Sequence, residues 1–573
     1  MSSGGTDLKV EASRDTEDRV DATATSNGVL ALFGRVFVSD YSYNWRWLNA
    51  LRSRVDSRFA RWRRPVVASE PYVPGVTKLG VALWRSAIMG FVASVAIFLG
   101  ATQQGSPFTS KLPGAWFFGI PPQPAVAGYQ PAPGQGLFLG VIAVYGGMFL
   151  MIGAWYDVVK IVSTHRGFPV ARLVPVFVAW VLPMLFVAPL FSKDVYAYAA
   201  QGEMMSHGIN PYLYGTNVIG ATSFSRLADP LWGNVTSPYG PMFLVIDGWI
   251  VTLAHHNLLA SVVGLRMLDL LGVVLMAVSL PAIAKSFGRD ESTAFALAVL
   301  NPLIILNLIA GAHNDALMIG LLTAGFALSR RGHPVWGIIV CGFAASVKVP
   351  AIIGALYIGW EWLGQGRSIR ERIRPTATAL ILALATMAGV SEGIGLGWGW
   401  ISGLTNPDVV RSWLDPATGV GLAFGHLAHT IGLGQHTHLL LTVTRGTSFA
   451  LAFVIALRLL MRSDRIGPAR AMGWSLFAFV LLGPVVQPWY ASWGFVFLAL
   501  VAEGRVRRVL IFFSGVSCFL QMPGGRDLLR DLSAAHPTLI IGAALVLALI
   551  ATAYLLPKFR HLFPPGEELA QTG

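Results

Sequence analysis

Two cysteines in 573 residues, Cys341 and Cys518, leave no room for a disulfide framework, and both lie inside apolar runs, which argues against a thiolate metal site. Charge is almost as scarce. Asp, Glu, Lys and Arg make up 12% of the chain against 54% hydrophobic residues, and the mean hydropathy is +0.59. A water-soluble body does not need that much apolar surface, whereas repeated spans of about 20 apolar residues do. Residues 1–28 are polar and acidic and lack an apolar h-region, so no cleavable signal peptide is expected. The alternation of barrel strands is missing, as is a convincing internal repeat. The formal charge of +13 invites a nucleic-acid partner, yet the basic residues stand between apolar runs and in the N-terminal tail. That is the pattern of cytoplasmic loops facing anionic lipid, and no nucleic-acid partner is expected.

What is present is a series of apolar runs, at roughly 79–101, 136–158, 171–191, 239–256, 259–284, 293–311, 315–329, 335–347, 349–363, 376–394, 439–461, 471–487, 490–503, 508–521 and 537–556. Only helices can span a bilayer with this pattern, and the shorter runs suit tilted or re-entrant pairs. The expected fold is an all-α polytopic membrane protein with about 13–15 transmembrane or re-entrant helices. Residues 1–75 are expected to form a cytoplasmic tail. Its stretch "YNWRWLNALRSRVDSRFARWRR" (Tyr43–Arg64) reads as a basic amphipathic helix on the inner leaflet, or as a solvated helix without a lipid role. Residues 76–560 are expected to form the transmembrane body, and 561–573 a second cytoplasmic tail.

Lys and Arg set the orientation. Clusters at Arg46–Arg64, Lys160–Arg172, Lys285–Arg289, Arg330–Arg331, Arg367–Arg374, Arg458–Arg470, Arg505–Arg508 and Lys558–Arg560 all lie inside if 239–256 does not cross fully, or if another short pair is re-entrant. The protein is then a multi-pass plasma-membrane protein with a cytoplasmic N-terminus. Facing out are 102–135, 192–238, the "GAHND" corner, the Lys348 corner, 395–438, "QPWY" and 522–536.

These outer segments hold the chemistry. "FSKDVYAYAAQGEMMSHGINPYLYG" (Phe191–Gly215) places Asp194 where an apolar run ends. A carboxylate there suits a general base for a sugar hydroxyl attacking an anomeric carbon, but Ser-Lys-Asp is also a good helix-start signal. Lys348, isolated between two apolar half-runs, reads as a cation for a lipid phosphate or as a snorkelling side chain. His313, Asn314 and Asp315 form a polar corner that could bind sugar hydroxyls, or a turn capped by Asp315. "SPYGPMF" (Ser237–Phe243) has Pro-fixed turns that hold a loop rigid. Trp489 and Tyr490 in "VVQPWYASWG" suit sugar stacking, while Trp493 reads as interfacial belt. His426, His429, His436 and His438 lie within one short loop, but without an acidic or Cys partner they read as ordinary interfacial histidines rather than a metal site.

Taken together, "FSKDVYAYAAQGEMMSHGINPYLYG", "SPYGPMF", "NPLIILNLIAGAHNDALM", "VKVPAII", "GWGWISGLTNPDVVRSWLDPAT" and "VVQPWY" resemble the actinobacterial polyprenyl-phosphomannose-dependent α-1,6-mannosyltransferases that build the mannan core of lipomannan and lipoarabinomannan. The resemblance runs over residues 190–490, in the family's motif order. It implies the GT-C class of multi-span glycosyltransferases, with a catalytic loop on the outer face. The implied donor is polyprenyl-phosphate-mannose, the acceptor a lipid-linked mannan, and the reaction inverting, with no cofactor or metal. Asp194 then matches the catalytic acid, Lys348 and Arg411 the donor-phosphate cations, and Tyr196, Tyr239, His313, Asn314, Asp315, Trp489 and Tyr490 the substrate-binding groups. The other readings are a transporter or flippase for a polyprenyl-linked sugar, and an oligosaccharide ligase using a diphosphate donor.

Overall fold

The protein is described from a computed structural model covering residues 70–71, 77–102, 106, 108, 135–404, 412, 415–432, 436–523 and 526–527, all within the compact unit Ser69–Gly573. The amphipathic segment 43–64, the run 537–556, the tail 561–573, Arg411 and most of 102–135 lie outside the described residues.

Almost everything described is helical. Among the described residues five helices are long and apolar enough to cross a bilayer: α1 (Thr77–Thr102), α2 (Gln135–Thr164) and, further along the chain, Leu258–Ser286, Ile369–Gly393 and Thr437–Met461. At 1.5 Å per residue, 25 residues reach about 37 Å, more than the ~30 Å of a hydrocarbon core. Their apolar windows are only 17–44% buried, and residues such as Phe149 at 74% exposure face outward. So much exposed apolar surface on long helices is stable only against lipid, which makes this a membrane protein.

Between these spans come shorter helices: α3 (Val174–Met184), α4 (Asp194–Ser206) and α5 (Pro241–Leu253) precede α6, the long helix Leu258–Ser286. The expected run 293–311 is broken. It divides into α7 (Glu291–Ala298) and a π-helix (Ile304–Ala310), because Pro302 has no N–H to continue the ladder. Asn301 fills the gap: its side chain accepts from the Leu303 amide at 2.9 Å and from the Ser514 hydroxyl. After a bend of 112° the chain continues as α8 (Asp315–Arg330), a broken span or re-entrant pair of the expected kind. Then follow α9 (Pro334–Ala345), α10 (Ile352–Glu361), α11 (Ile369–Gly393), α12 (Pro416–Thr430), α13 (Thr437–Met461), α14 (Pro468–Leu482), α15 (Ala491–Ala499) and α16 (Gly504–Phe519). The only strands among the described residues are two-residue pairs, Glu70–Pro71 with His165–Arg166 and Gln521–Met522 with Arg526–Asp527. The all-α polytopic architecture expected of a GT-C enzyme is thus what the structure has.

Two contacts fix the region that matters. A Cβ on Gly320 would lie 2.3 Å from the Gly272 carbonyl oxygen, so α6 and α8 cross backbone to backbone, as small residues allow in membranes. Arg266 of α6, fully buried, donates to the carbonyls of Leu185, Val187 and Ala310. It ties the chain leaving α3 to the end of the π-helix, and so holds the approach to Asp194 beside the 311–314 corner.

Candidate active site

Asp194 is the first residue of α4. Its amide donates to Ser192 Oγ at 3.0 Å, and the helix start has no side-chain cap. Phe191, at φ 63°, turns the chain sharply just before it. The carboxylate is 22% exposed and has His313 as its ring neighbour, with Oδ2 to Nε2 at 3.9 Å. A helix cap is therefore not what this side chain does.

The corner 311–314 places His313. Ala312 sits in the left-handed region at φ 52°, a costly conformation for a residue with a Cβ, and strain of this kind gathers at functional sites. The fold-back brings His313 Nδ1 to 2.6 Å from the Asn307 carbonyl and stacks its ring on Trp489 at 4.0 Å between centroids. A carbonyl oxygen can only accept, so Nδ1 carries the proton. In the neutral ring, Nε2 is then a bare lone pair facing a carboxylate. The two acceptors want a shared proton, or a donor placed between them. His313 Nε2, both amide atoms of Asn314 and Trp489 Nε1 are buried with no hydrogen-bond partner among the described residues.

Next to this pair lies a second one. Lys348 Nζ is 3.0 and 3.1 Å from the two carboxylate oxygens of Asp315, and Trp493 Nε1 donates to Asp315 Oδ1 at 2.6 Å. The ammonium stands 4.3 Å over the Tyr490 ring, 5.4 Å from Trp493 and 6.0 Å from Tyr239. Tyr239 is held from several sides: its amide donates to Ser237 Oγ, its carbonyl accepts from Tyr212 Oη at 2.8 Å, and its ring meets Tyr198 edge-on at 5.0 Å. Gly240 permits the approach, since a Cβ there would lie 2.2 Å from the Ser346 carbonyl oxygen. The loop of "SPYGPMF" is thus held by contacts to Tyr212, Tyr198 and the Ser346 backbone.

Burial raises the Asp194 carboxyl above the usual carboxylate range, against the opposing pull of His313 and then Lys348. A carboxylate so raised is a better proton acceptor than an exposed one.

Of the residues singled out in the sequence, Asp194, Tyr239, His313, Asp315, Lys348, Trp489 and Tyr490 come together, with Asn314 in the same corner. Tyr196 does not join them. It points to the other side of α4, where Arg266 is its electrostatic neighbour. Arg411 lies outside the described residues. Trp493 is a correction: expected in the interfacial belt, it is buried and bonded to Asp315. Two further residues escaped the sequence reading, Tyr198 and Gln201, which follow Asp194 at i+4 and i+7 on one helical face; Gln201 accepts from Ser237 Oγ at 3.0 Å. The signal was there in the helical period. The four histidines His426, His429, His436 and His438 are exposed, and the one carboxylate–imidazole trio gathered among the described residues lies elsewhere, at Glu203, His207 and His256.

Residues 87–364 match the family model described as alpha-(1->6)-mannopyranosyltransferase, N-terminal domain, and residues 417–555 match the MptB C-terminal domain. The chain is 30% identical over 403 residues to alpha-(1->6)-mannopyranosyltransferase A of Mycobacterium tuberculosis, covering 68% of this chain and 76% of that protein. It is 31% identical over 389 residues to a probable alpha-(1->6)-mannopyranosyltransferase of Mycolicibacterium smegmatis, at 62% and 69% coverage. To alpha-(1->6)-mannopyranosyltransferase B of Corynebacterium glutamicum it is 30% identical over 377 residues, at 61% and 62% coverage. No solved structure matches.

Proposed function

Since the chain belongs to the alpha-(1->6)-mannopyranosyltransferase family, membrane-bound mannosyltransferases, we propose that it transfers mannose from polyprenyl-phosphate-mannose to a growing α-1,6-mannan lipoglycan at the periplasmic face, with Asp194 as general base. The acceptor's hydroxyl oxygen bonds to the anomeric carbon while the bond from that carbon to the phosphate oxygen breaks. The hydroxyl proton goes to Asp194, the polyprenyl phosphate leaves with the bonding pair, and the anomeric centre inverts.

One observation carries this reading. Asp194 Oδ2 and His313 Nε2 stand 3.9 Å apart as two acceptors lacking a proton between them, which is what a base awaiting a hydroxyl needs. The buried, unpartnered atoms of Asn314 and Trp489 supply further donors and acceptors for sugar hydroxyls. Lys348, Tyr239 and Tyr490 suit the donor's phosphate end, and Arg411 is proposed as a second cation there. The polyprenyl tail stays between the helices, because each CH₂ taken from lipid into water costs about 0.8 kcal/mol. The pattern of Lys and Arg clusters supports a periplasmic position for this site.

The purified protein, given radiolabelled polyprenyl-phosphate-mannose and a short α-1,6-mannoside, is expected to lengthen the mannoside by α-1,6-linked mannose. Movement of the intact donor across vesicles without any transfer would sink this reading in favour of a flippase.

A further inference from the structure

Away from this cluster, α4 and α5 end side by side, and three side chains converge there. Glu203 lies in the last turn of α4, and His207, the residue that ends the helix, follows it by four positions with its Nδ1 3.8 Å from Glu203 Oε1. His256 follows α5 in the "AHHN" turn, where both His255 (φ 50°) and His256 (φ 56°) are left-handed. Two consecutive residues with a Cβ in that region are strained, and the turn they make carries His256 across to α4. Its Nδ1 lies 2.8 Å from Glu203 Oε2, and the two imidazole rings are 5.3 Å apart. One ligand atom from each of the three residues falls within 4.8 Å of the others.

We propose that Glu203, His207 and His256 bind a divalent transition-metal ion, with zinc the best fit. The chemistry is that of a zinc site: two imidazole nitrogens and one carboxylate oxygen, with a fourth position left for water. His207 Nδ1 donates to the Glu203 backbone carbonyl at 2.9 Å, which leaves its Nε2 as the nitrogen able to ligate, while His256 Nδ1, which donates to Glu203 Oε2 at 2.8 Å, would release its proton when the ion takes the place between them. Charge points the same way. The Glu203 side chain is only 12% exposed, and its ion-pair partners among the described residues are these two imidazoles, with no Lys or Arg. An imidazole is not a permanent charge, and a divalent ion would supply the positive charge this carboxylate lacks. Glu203 stands nine residues beyond Asp194, about 13 Å along the helix, so the ion would take no part in transfer. Its role is to clamp α4, which carries Asp194 and Tyr198, to the junction of α5 and α6.

The test uses the full chain in nanodiscs, stripped with chelator, incubated with Zn²⁺ and dialysed before metal analysis. The wild type is expected to retain a single equivalent, and Glu203→Gln and His256→Ala to bind at least about tenfold more weakly, since losing even an outer partner of a ligand costs that much. A variant lacking His426, His429, His436 and His438 is expected to keep the ion. Co²⁺ in place of zinc should give the visible absorption of a tetrahedral site. A wild type retaining less than about half an equivalent, or Glu203→Gln and His256→Ala variants binding as tightly as wild type, overturns the proposal. If the variants fail to fold, the wild type alone decides: a zinc-dependent rise in melting temperature, reversed by chelator, supports the site, and its absence overturns it.

Discussion

Lys348 holds both carboxylate oxygens of Asp315, at 3.0 and 3.1 Å, across a gap of 33 positions in the chain. Asp315 is fully buried and the lysine nearly so, with the Trp493 indole as third partner. Such a pair contributes little net stability compared with apolar residues, but removing one member is expensive.

Lys348→Ala is therefore expected to lower stability by about 3–5 kcal/mol, and to raise the KM for the lipid donor more than that for the mannoside acceptor. The double variant Lys348→Ala/Asp315→Asn separates the two effects. Its melting temperature should recover, while the donor KM stays high if the ammonium meets phosphate. Recovery of both would reduce Lys348 to a counter-ion for Asp315.

Asp194→Asn keeps the side chain's shape and removes its basicity. The α4 start lacks a side-chain cap, so stability should hardly change, while transfer should fall by about 10²-fold or more. Turnover of the folded Asn variant by quantified mannoside products is the measurement. Substantial activity would leave Asp194 structural and turn attention to Asp315.

The pH profile follows from the same residue. A base works ionised, and burial raises the Asp194 pKa, so activity should fall as pH drops through a value above the usual carboxylate range of about 4. The acidic limb of kcat/KM reports it. A limb at the ordinary carboxylate position, with stability unchanged across it, would exclude Asp194 as the titrating group.

A fourth expectation concerns stability alone. Asp290 starts α7 and accepts from the Gly167 amide at 3.0 Å, the Thr293 amide and hydroxyl, and the Ser292 hydroxyl. Burial pushes its pKa up, but these donors outweigh it and hold the carboxyl below its ordinary value. A depressed folded pKa contributes stability above the unfolded pKa near 4, and loses it as pH falls through the folded one. Asp290→Ala should cost about 1–2 kcal/mol at neutral pH, read from thermal melts, with the gap to wild type closing in acid.

The helices were legible in the sequence because lipid demands long apolar runs, and nearly every expected run within the described residues became a helix. The break at Pro302 was hidden inside one of those runs, since hydropathy does not register a missing N–H. Isolated polar residues at the ends of runs picked out Asp194, His313, Asp315 and Lys348, which the structure brings into one cluster. Which aromatics face them was harder. Tyr196 and Tyr198 look alike in sequence, and only the helical period separates the one beside Arg266 from the one against Tyr239. Trp493 looked like a belt residue because composition cannot reveal that its N–H reaches a buried acid 178 positions away.

The cluster draws on both family regions, but unequally. Asp194, His313, Asp315 and Lys348 all fall within 87–364, while 417–555 brings Trp489, Tyr490 and Trp493. The carboxylates, the imidazole and the ammonium all belong to the first region, and the second brings aromatic surface, the Tyr490 hydroxyl, the Trp489 indole N–H and the indole N–H of Trp493 that fixes Asp315. The site therefore depends on a junction between two regions of the chain: a C-terminal region exchanged from a relative must still deliver an indole N–H to Asp315 and a ring to Lys348 for the first region's charges to keep their partners.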